Sequence, residues 1–221
     1  MTIRPLRKLA LILGVLLASP FALPMAADDV VPGASFDRTF PAIGVRLLHL
    51  DLPVGELTVR AASGDSVRIE GEVRCDAKDS ARCRDTARRL ALGSSAEGDR
   101  LAVWIEGWPR NRHDGLSVAL AVTLPARLAL SADVGVGEVA VEGIAAVRID
   151  LGVGEVQVIA AQRAVGRVNV DVGVGDATLH TAQRSIEGKG FLGKELVWRQ
   201  GTGRSTIAVD CGVGEVEIHL E

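Results

Sequence analysis

The chain has 221 residues, 48% of them hydrophobic, with 25 glycines but only three tryptophans, four phenylalanines and no tyrosine. Hydrophobicity at this level excludes an intrinsically disordered chain, and a net charge of −3 without a basic run argues against nucleic-acid binding. Because rings are scarce, Val, Leu, Ile and Ala must fill the core, in thin layers joined by tight turns.

The first 27 residues have the features of a secretory signal peptide. Basic residues precede the apolar run 9–17, and prolines and a pair of alanines follow it. The run is too short to cross a bilayer as a helix. We therefore expect cleavage near Ala27, Sec-dependent export to the periplasm or the medium, and no membrane span in the mature protein.

Residues 28–43 are predicted to be an N-terminal lead-in, and residues 44–221 a single all-β domain. Strand-like alternation of apolar and polar residues begins at Val45. One short helical insert is predicted over 79–92, where apolar residues recur at helical spacing and Gly93 provides a stop.

Two of the three cysteines, Cys75 and Cys83, lie close enough in the sequence to close a small loop. In an exported protein this spacing predicts a disulfide, the alternative being two free, partly buried thiols. No second cysteine pair or nearby histidine completes a set of four ligands, so no metal site is expected there. No cofactor is predicted for the chain.

The loop 107–115, between two predicted strands, is the segment most typical of a binding rim. It combines a tryptophan with charged side chains that could contact a sugar or a carboxylate. The alternative is a hairpin loop with its tryptophan folded onto the sheet. The candidate binding residues are Trp104, Trp108, Arg110, Arg112, His113 and Asp114. No catalytic residues are predicted.

A heptapeptide of the form Asp-x-Gly-Val-Gly-Asp/Glu-x occurs at 133–139, 150–156, 171–177 and 210–216, and a fifth copy at 51–57 has proline in place of the first glycine. Starts 17, 21 and 39 residues apart predict a β-solenoid with coils of about 17–21 residues, regular from about residue 128. A degenerate coil at 189–194 would fill the last gap. The repeat positions are Asp133, Gly135, Gly137, Glu138, Asp150, Gly152, Gly154, Glu155, Asp171, Gly173, Gly175, Asp176, Asp210, Gly212, Gly214 and Glu215.

Within each copy the alternation has a period of two, which predicts strand, tight turn, strand. Stacked copies would form three inward columns of aliphatic side chains. The columns are Leu50, Ala132, Ile149, Val170 and Val209; Leu52, Val134, Leu151, Val172 and Cys211; and Val54, Val136, Val153, Val174 and Val213. Cys211 is thereby predicted to be a small buried hydrophobe rather than a nucleophile.

The conserved spacing of the acidic positions would place like carboxylates beside one another along the stack. One interpretation is that Asp caps turn amides, Glu is solvated at an exposed corner, and Gly supplies the backbone conformation of that corner. The other is a ladder of divalent cations, although the calcium-binding nonapeptide pattern is absent.

The segment Leu116–Pro125, which ends in Leu-Pro and is followed by the repeated Val-Gly-Glu-Val turns, resembles the bacterial "putative adhesin" families of exported domains. The resemblance covers roughly residues 45–221 and implies a β-solenoid without demonstrated catalytic residues. Gly-Glu replaces the more common Gly-Asp in most turns, and the insert containing Cys75 and Cys83 is a departure from the pattern.

These patterns favour a non-enzymatic, exported scaffold for adhesion or protein contact, with an envelope protein or cell-surface component as partner. The alternative is a carbohydrate-active β-helix enzyme acting on an acidic polysaccharide. For the fold, the alternative is an antiparallel sandwich with a hairpin at each Gly-Glu turn, since alternation does not fix connectivity.

Overall fold

The computed structural model describes residues 29–76, 80–110, 115–191, 193–199 and 202–221, without the side chains of 29–33 and 80. The signal peptide predicted over 1–27 lies outside these ranges. The strands are β1 Asp29–Pro41, β2 Leu47–Ala62, β3 Ser66–Cys75, β4 Ala91–Glu97, β5 Arg100–Glu106, β6 Leu116–Pro125, β7 Ala129–Glu142, β8 Val147–Ala160, β9 Val165–Thr181, β10 Ser185–Glu187, β11 Lys194–Trp198 and β12 Ser205–Leu220. A helix, α1, spans Ser80–Ala87, and a 3₁₀ turn spans Gln162–Ala164. The expected all-β class is confirmed. No helix within these ranges is long and apolar enough to cross a membrane.

The five copies of the heptapeptide lie on five long strands that pair in parallel and in register. Their order across the sheet is β2-β7-β8-β12-β9, and equivalent repeat positions face each other at every step, as Asp133 faces Asp150. Parallel pairing excludes hairpins at the Gly-Glu turns. The connection 143–146 between β7 and β8 has only four residues. So short a connection is possible because β7 bends midway, which brings its end near the start of β8.

Each long strand bends at its second repeat glycine, so that a copy is one continuous bent strand and not two strands joined by a turn. Gly154 has φ 143°, a backbone conformation that residues with a Cβ rarely adopt. The equivalent glycines have φ between 136° and 151°. They are Gly55, Gly137, Gly175 and Gly214. Pairing continues on both sides of the bend.

The order of copies in space departs from their order in the sequence. Strand β12, the last in the chain, lies between β8 and β9 and pairs with both. Its end is fixed by Glu221, whose amide donates to the carbonyl of Ala160 and whose carbonyl accepts from the amide of Gln162. The predicted degenerate coil at 189–194 is therefore wrong, because the copies on β9 and β12 pair directly and no coil lies between them.

Strands that lack the repeat cover both ends of the parallel stack, in antiparallel orientation at the β9 end and in parallel orientation at the β2 end. At one end β11 pairs with the first half of β9 and β10 with its second half. At the other end, β5 pairs with the first half of β2 and β6 with its second half, and β4, β3 and β1 extend these two edges. Residues 29–41, predicted only as a lead-in, form the outermost strand, β1.

Both halves of the bent strands bury side chains in one aliphatic core. The first two predicted columns are buried, including Cys211, which is a free thiol in the core. The third column is wrong: Val136, Val153, Val174 and Val213 are 46–56% exposed. The reason is the bend at the second repeat glycine, which interrupts the alternation of buried and exposed positions. In β8, Leu151 and Val156 are buried and the residues between them are not. Val153, which lies between the two glycines, is therefore outside the core.

The insert between β3 and β5 is partly as predicted. Cys75 and Cys83 form a disulfide, with their Cα atoms 5.9 Å apart. The helix is shorter than the predicted 79–92, because it ends at Ala87 and residues 91–97 form strand β4. Gly93, predicted as the helix stop, is instead the strand position covered by the indole of Trp104, where a Cβ would overlap the ring.

Candidate functional site

The outer surface of the stack consists of parallel rows of identical residue types. Two rows are acidic, and an apolar one lies between them at the bend. In spatial order, the aspartate row is Asp51, Asp133, Asp150, Asp210 and Asp171; the valine ridge is Val54, Val136, Val153, Val213 and Val174; and the glutamate row is Glu56, Glu138, Glu155, Glu215 and Asp176.

A row of glycines, formed by Gly135, Gly152, Gly212 and Gly173, separates the aspartate row from the valine ridge. A Cβ at any of these positions would collide with a backbone carbonyl of the next strand, so only glycine fits. The missing side chains leave a groove of about 760 Å³ over β8, β12 and β9. The groove thus has backbone as its floor and carboxylates along one side.

Carboxylates in the aspartate row lie side by side, and the effect is largest at Asp210. Partial burial, followed by the neighbouring carboxylates of Asp150 and Asp171, raises the pKa of Asp210, and Arg148 opposes the rise. The Arg148 guanidinium lies 3.2 Å from Asp150 Oδ2 and 3.6 Å from Asp210 Oδ2. These aspartates lie within the strands and face outward, and they do not sit at the bend where turn amides were expected to be capped.

Two lysines close one end of the groove. Lys189 and Lys194 belong to the segment that covers β9, and Lys194 Nζ lies 3.8 Å from Asp176 Oδ1. Both lysines lie in the segment 189–194, which was predicted to be a degenerate coil. That coil is wrong, but the two cations do meet the acidic rows, since β11 pairs with β9 in antiparallel orientation.

Of the predicted binding rim, the described residue Trp104 lies at the opposite end of the aspartate row. Trp104 faces Asp51 across the β2–β5 pair and is 37% exposed. Trp108 is partly buried against the core, and Arg110 is exposed. The other three candidates, Arg112, His113 and Asp114, lie outside the described residues. The rim therefore remains a prediction.

A cluster that the sequence analysis missed lies on the outer face of the second strand halves. His180, Glu217 and His219 place a set of possible metal-ligating atoms within 4.8 Å of one another. A signal for it was present, because His180 and His219 each follow the aspartate of their repeat by nine residues. Because an extra coil was predicted between the two copies, the two histidines were not expected to be neighbours.

No protein-family model matches the chain, and no curated protein matches it. Among solved structures, the chain is similar to a protein from Clostridium sporogenes described as a "putative cell adhesion protein", with 13% identity over 85% of this chain and 99% of that one and a TM-score of 0.51. It also matches a "putative adhesin" from Bacteroides fragilis, with 12% identity over 83% and 96% of the two chains and a TM-score of 0.32. The first likeness supports the resemblance at the level of the fold.

Proposed function

We propose that the chain is an exported, non-enzymatic scaffold for adhesion or protein contact, and that its binding surface is the valine ridge with its flanking acidic rows. The observation that carries the proposal is the exposure of Val136, Val153, Val213 and Val174, which are 46–56% exposed and lie in register on adjacent strands. Contiguous apolar surface rimmed by polar residues is typical of interaction sites.

Burial of the ridge against a partner would contribute binding free energy. Burying the exposed half of a valine side chain contributes about 1 kcal/mol, so four neighbouring valines supply the apolar centre of a modest interface. Because the strands pair in register about 4.8 Å apart, the ridge presents the same group at every step. A partner with a regular apolar edge fits such a surface best.

The flanking rows define the charge of that partner. No basic side chain of the described residues lies within ion-pair distance of Glu138, Glu155 or Glu215. Together with the aspartate row on the other side, they surround the ridge with carboxylates. We therefore propose an envelope or cell-surface protein that presents lysines or arginines on both sides of an apolar stripe, since opposite potentials favour association.

The scaffold itself is proposed to be a β-solenoid. Its support is the in-register parallel pairing of the repeat strands and the four-residue return between β7 and β8. The compartment is proposed to be the periplasm or the exterior, because a Cys75–Cys83 disulfide persists under oxidising conditions and the first 27 residues are typical of a signal peptide.

The alternative, an enzyme acting on an acidic polysaccharide, is less favoured by the charge of the groove. Asp150, Asp210 and Asp171 line it, and they would repel the carboxylates of such a substrate. Incubation of the purified protein with a panel of acidic polysaccharides, with reducing ends as the readout, tests this alternative directly.

The binding proposal is tested by a pair of variants of the immobilised protein. Val153→Ser combined with Val213→Ser removes the centre of the ridge, whereas Val197→Ser is the control, because Val197 is 45% exposed but lies off the ridge on β11. Envelope proteins are captured at 50 mM and 300 mM salt and quantified by mass spectrometry. We expect the partner to be lost at least tenfold from the double variant and at high salt, and to be retained by the control. Equal capture by all three proteins would contradict the proposal.

A further inference from the structure

His180, Glu217 and His219 lie on two adjacent strands that face the solvent away from the valine ridge. His180 is on β9 and the other two are on β12, where His219 faces His180 directly in the parallel register. Glu217 and His219 are two residues apart and therefore project from the same face of β12. The three side chains thus converge on one patch of the outer surface.

The donor atoms of this patch are already close to the arrangement that a metal ion requires. Glu217 Oε1 lies 3.1 Å from His180 Nε2 and 3.0 Å from His219 Nε2. Donor atoms around a tetrahedral ion with bonds of 2.0–2.1 Å lie about 3.3 Å apart, which is close to both of these distances. The two imidazoles stack, with centroids 4.7 Å apart and planes 17° from parallel, and each has its Nε2 beside Glu217 Oε1. Because a metal binds in the plane of an imidazole, the two rings must turn out of this stack to share one ion.

An outer group orients one of the two imidazoles. Ser185 on β10 places its Oγ 2.7 Å from His180 Nδ1. When Nδ1–H donates to this hydroxyl oxygen, the Nε2 lone pair is free to bind a metal, which is the usual role of a second partner at a ligating histidine. The strand that covers the end of the stack therefore also positions a ligand.

We propose that His180, Glu217 and His219 bind one divalent transition-metal ion through the two Nε2 atoms and the Glu217 carboxylate. Two imidazoles and one carboxylate favour Zn²⁺, Ni²⁺ or Cu²⁺ over Ca²⁺ and Mg²⁺, which prefer oxygen ligands. The side chains are 31–39% exposed, so an ion can enter from solution and retain water at its remaining positions. The bound ion would link the C-terminal strand β12 to β9.

This proposal is independent of the valine ridge, and its test uses Zn²⁺ as the probe. The protein, without a histidine tag, is titrated with ZnCl₂ by isothermal calorimetry at pH 7.5. We expect one ion per chain and a rise in melting temperature, because a ligand that binds only the folded state stabilises it.

Variants locate the ion. His180→Ala and His219→Ala should each weaken Zn²⁺ binding at least 100-fold, and Ser185→Ala about tenfold, within the range typical of outer-shell partners. His49→Gln is the control, because it removes a histidine outside this cluster and should leave the affinity unchanged. Circular dichroism and thermal unfolding establish that each variant is folded, and Glu217→Gln, which preserves size, provides a further substitution within the site.

Two results would overturn the proposal. One is the absence of stoichiometric Zn²⁺ binding by the unmodified protein at 1 mM metal. The other is an affinity that is unchanged in the folded His180→Ala, His219→Ala and Glu217→Gln proteins, which would place the ion elsewhere, as among the acidic rows.

Discussion

Gly154 lies against the backbone carbonyl of Gly137 on the neighbouring strand so closely that a Cβ on Gly154 would overlap the carbonyl oxygen. The same contact recurs at each step of the stack, with Gly214 against Gly154 and Gly175 against Gly214. The bend therefore depends on glycine for two separate reasons, the positive φ and the space between strands.

Gly154→Ala should destabilise the fold by about 2–4 kcal/mol, because it adds overlap with a carbonyl to the strain of a positive φ. The matched control is Gly64→Ala, since Gly64 has φ 117° but nothing lies within 4 Å of an added Cβ. We expect the control to cost about 1–2 kcal/mol, the strain alone. Urea unfolding followed by circular dichroism measures both; equal losses would mean that spacing between strands does not limit the bend.

Asp210→Asn should stabilise the protein at neutral pH. Burial and the carboxylates of Asp150 and Asp171 raise the pKa of Asp210 above its ordinary 3.8, so the unfolded chain loses this proton at a lower pH than the native protein. The cost of the charge is therefore absent below pH 3.8 and appears as the pH rises through the native pKa. Because the side chain is half exposed, we expect a gain of no more than about 0.5 kcal/mol.

Thermal unfolding at pH 3.5 and pH 7 checks this sign. The gain should be present at pH 7 and vanish at pH 3.5. Asp99→Asn is the control, because Asp99 pairs with Arg46 and its substitution should give no gain at either pH. A destabilised Asp210→Asn protein at pH 7 would show that the contact with Arg148 outweighs the repulsion.

Removing the Cys75–Cys83 disulfide should cost about 2–3 kcal/mol, the loop-closure entropy of a loop of this size. The measurement compares urea midpoints of the unmodified protein with those of the Cys75→Ala, Cys83→Ala double variant, with and without reductant. Reductant should lower the midpoint of the first protein and leave the second unchanged. Sensitivity of the double variant to reductant would contradict the assignment.

The three cysteines should be distinguishable by thiol titration. Cys211 is buried in the core, and burial raises the pKa of its thiol, so it should not react in the native protein. We expect no reactive thiol under native conditions, one in denaturant, and three in denaturant after reduction. A fast-reacting thiol in the native protein would indicate that the core around Cys211 opens to solvent.

Much of the fold followed from the sequence because its pattern is local. Alternation with a period of two identified the strands and the buried columns that contain Leu151 and Cys211. The valine ridge was misassigned, because the alternation was counted through Gly152 and Gly154. The strand bends there, and the alternation of buried and exposed residues is interrupted. A glycine gives no signal of whether a strand continues straight or bends, so Val153 was expected inside.

The order of the copies could not be predicted for a different reason. The copies that contain Asp150, Asp171 and Asp210 are nearly identical, so each can pair with any other at similar energy, and only the connections decide their neighbours. The insertion of β12 between β8 and β9 follows from the segment 185–198, whose strands cover the free edge of β9. For the same reason the contact between His180 and His219 was missed, whereas the positions in the aspartate row were placed correctly.

Strands that lack the repeat cover both ends of the stack, and this has a consequence for self-association. A stack of identical parallel strands with a bare end would template the same strand from another molecule and grow into a fibre. Here one end terminates in strands of three and five residues. The other end terminates in two edge strands, the seven-residue β4 and β1, which carries a register shift and ends at Pro41. A chain whose repeats are suited to unlimited polymerisation is thus kept to a finite length by the strands that lack the repeat.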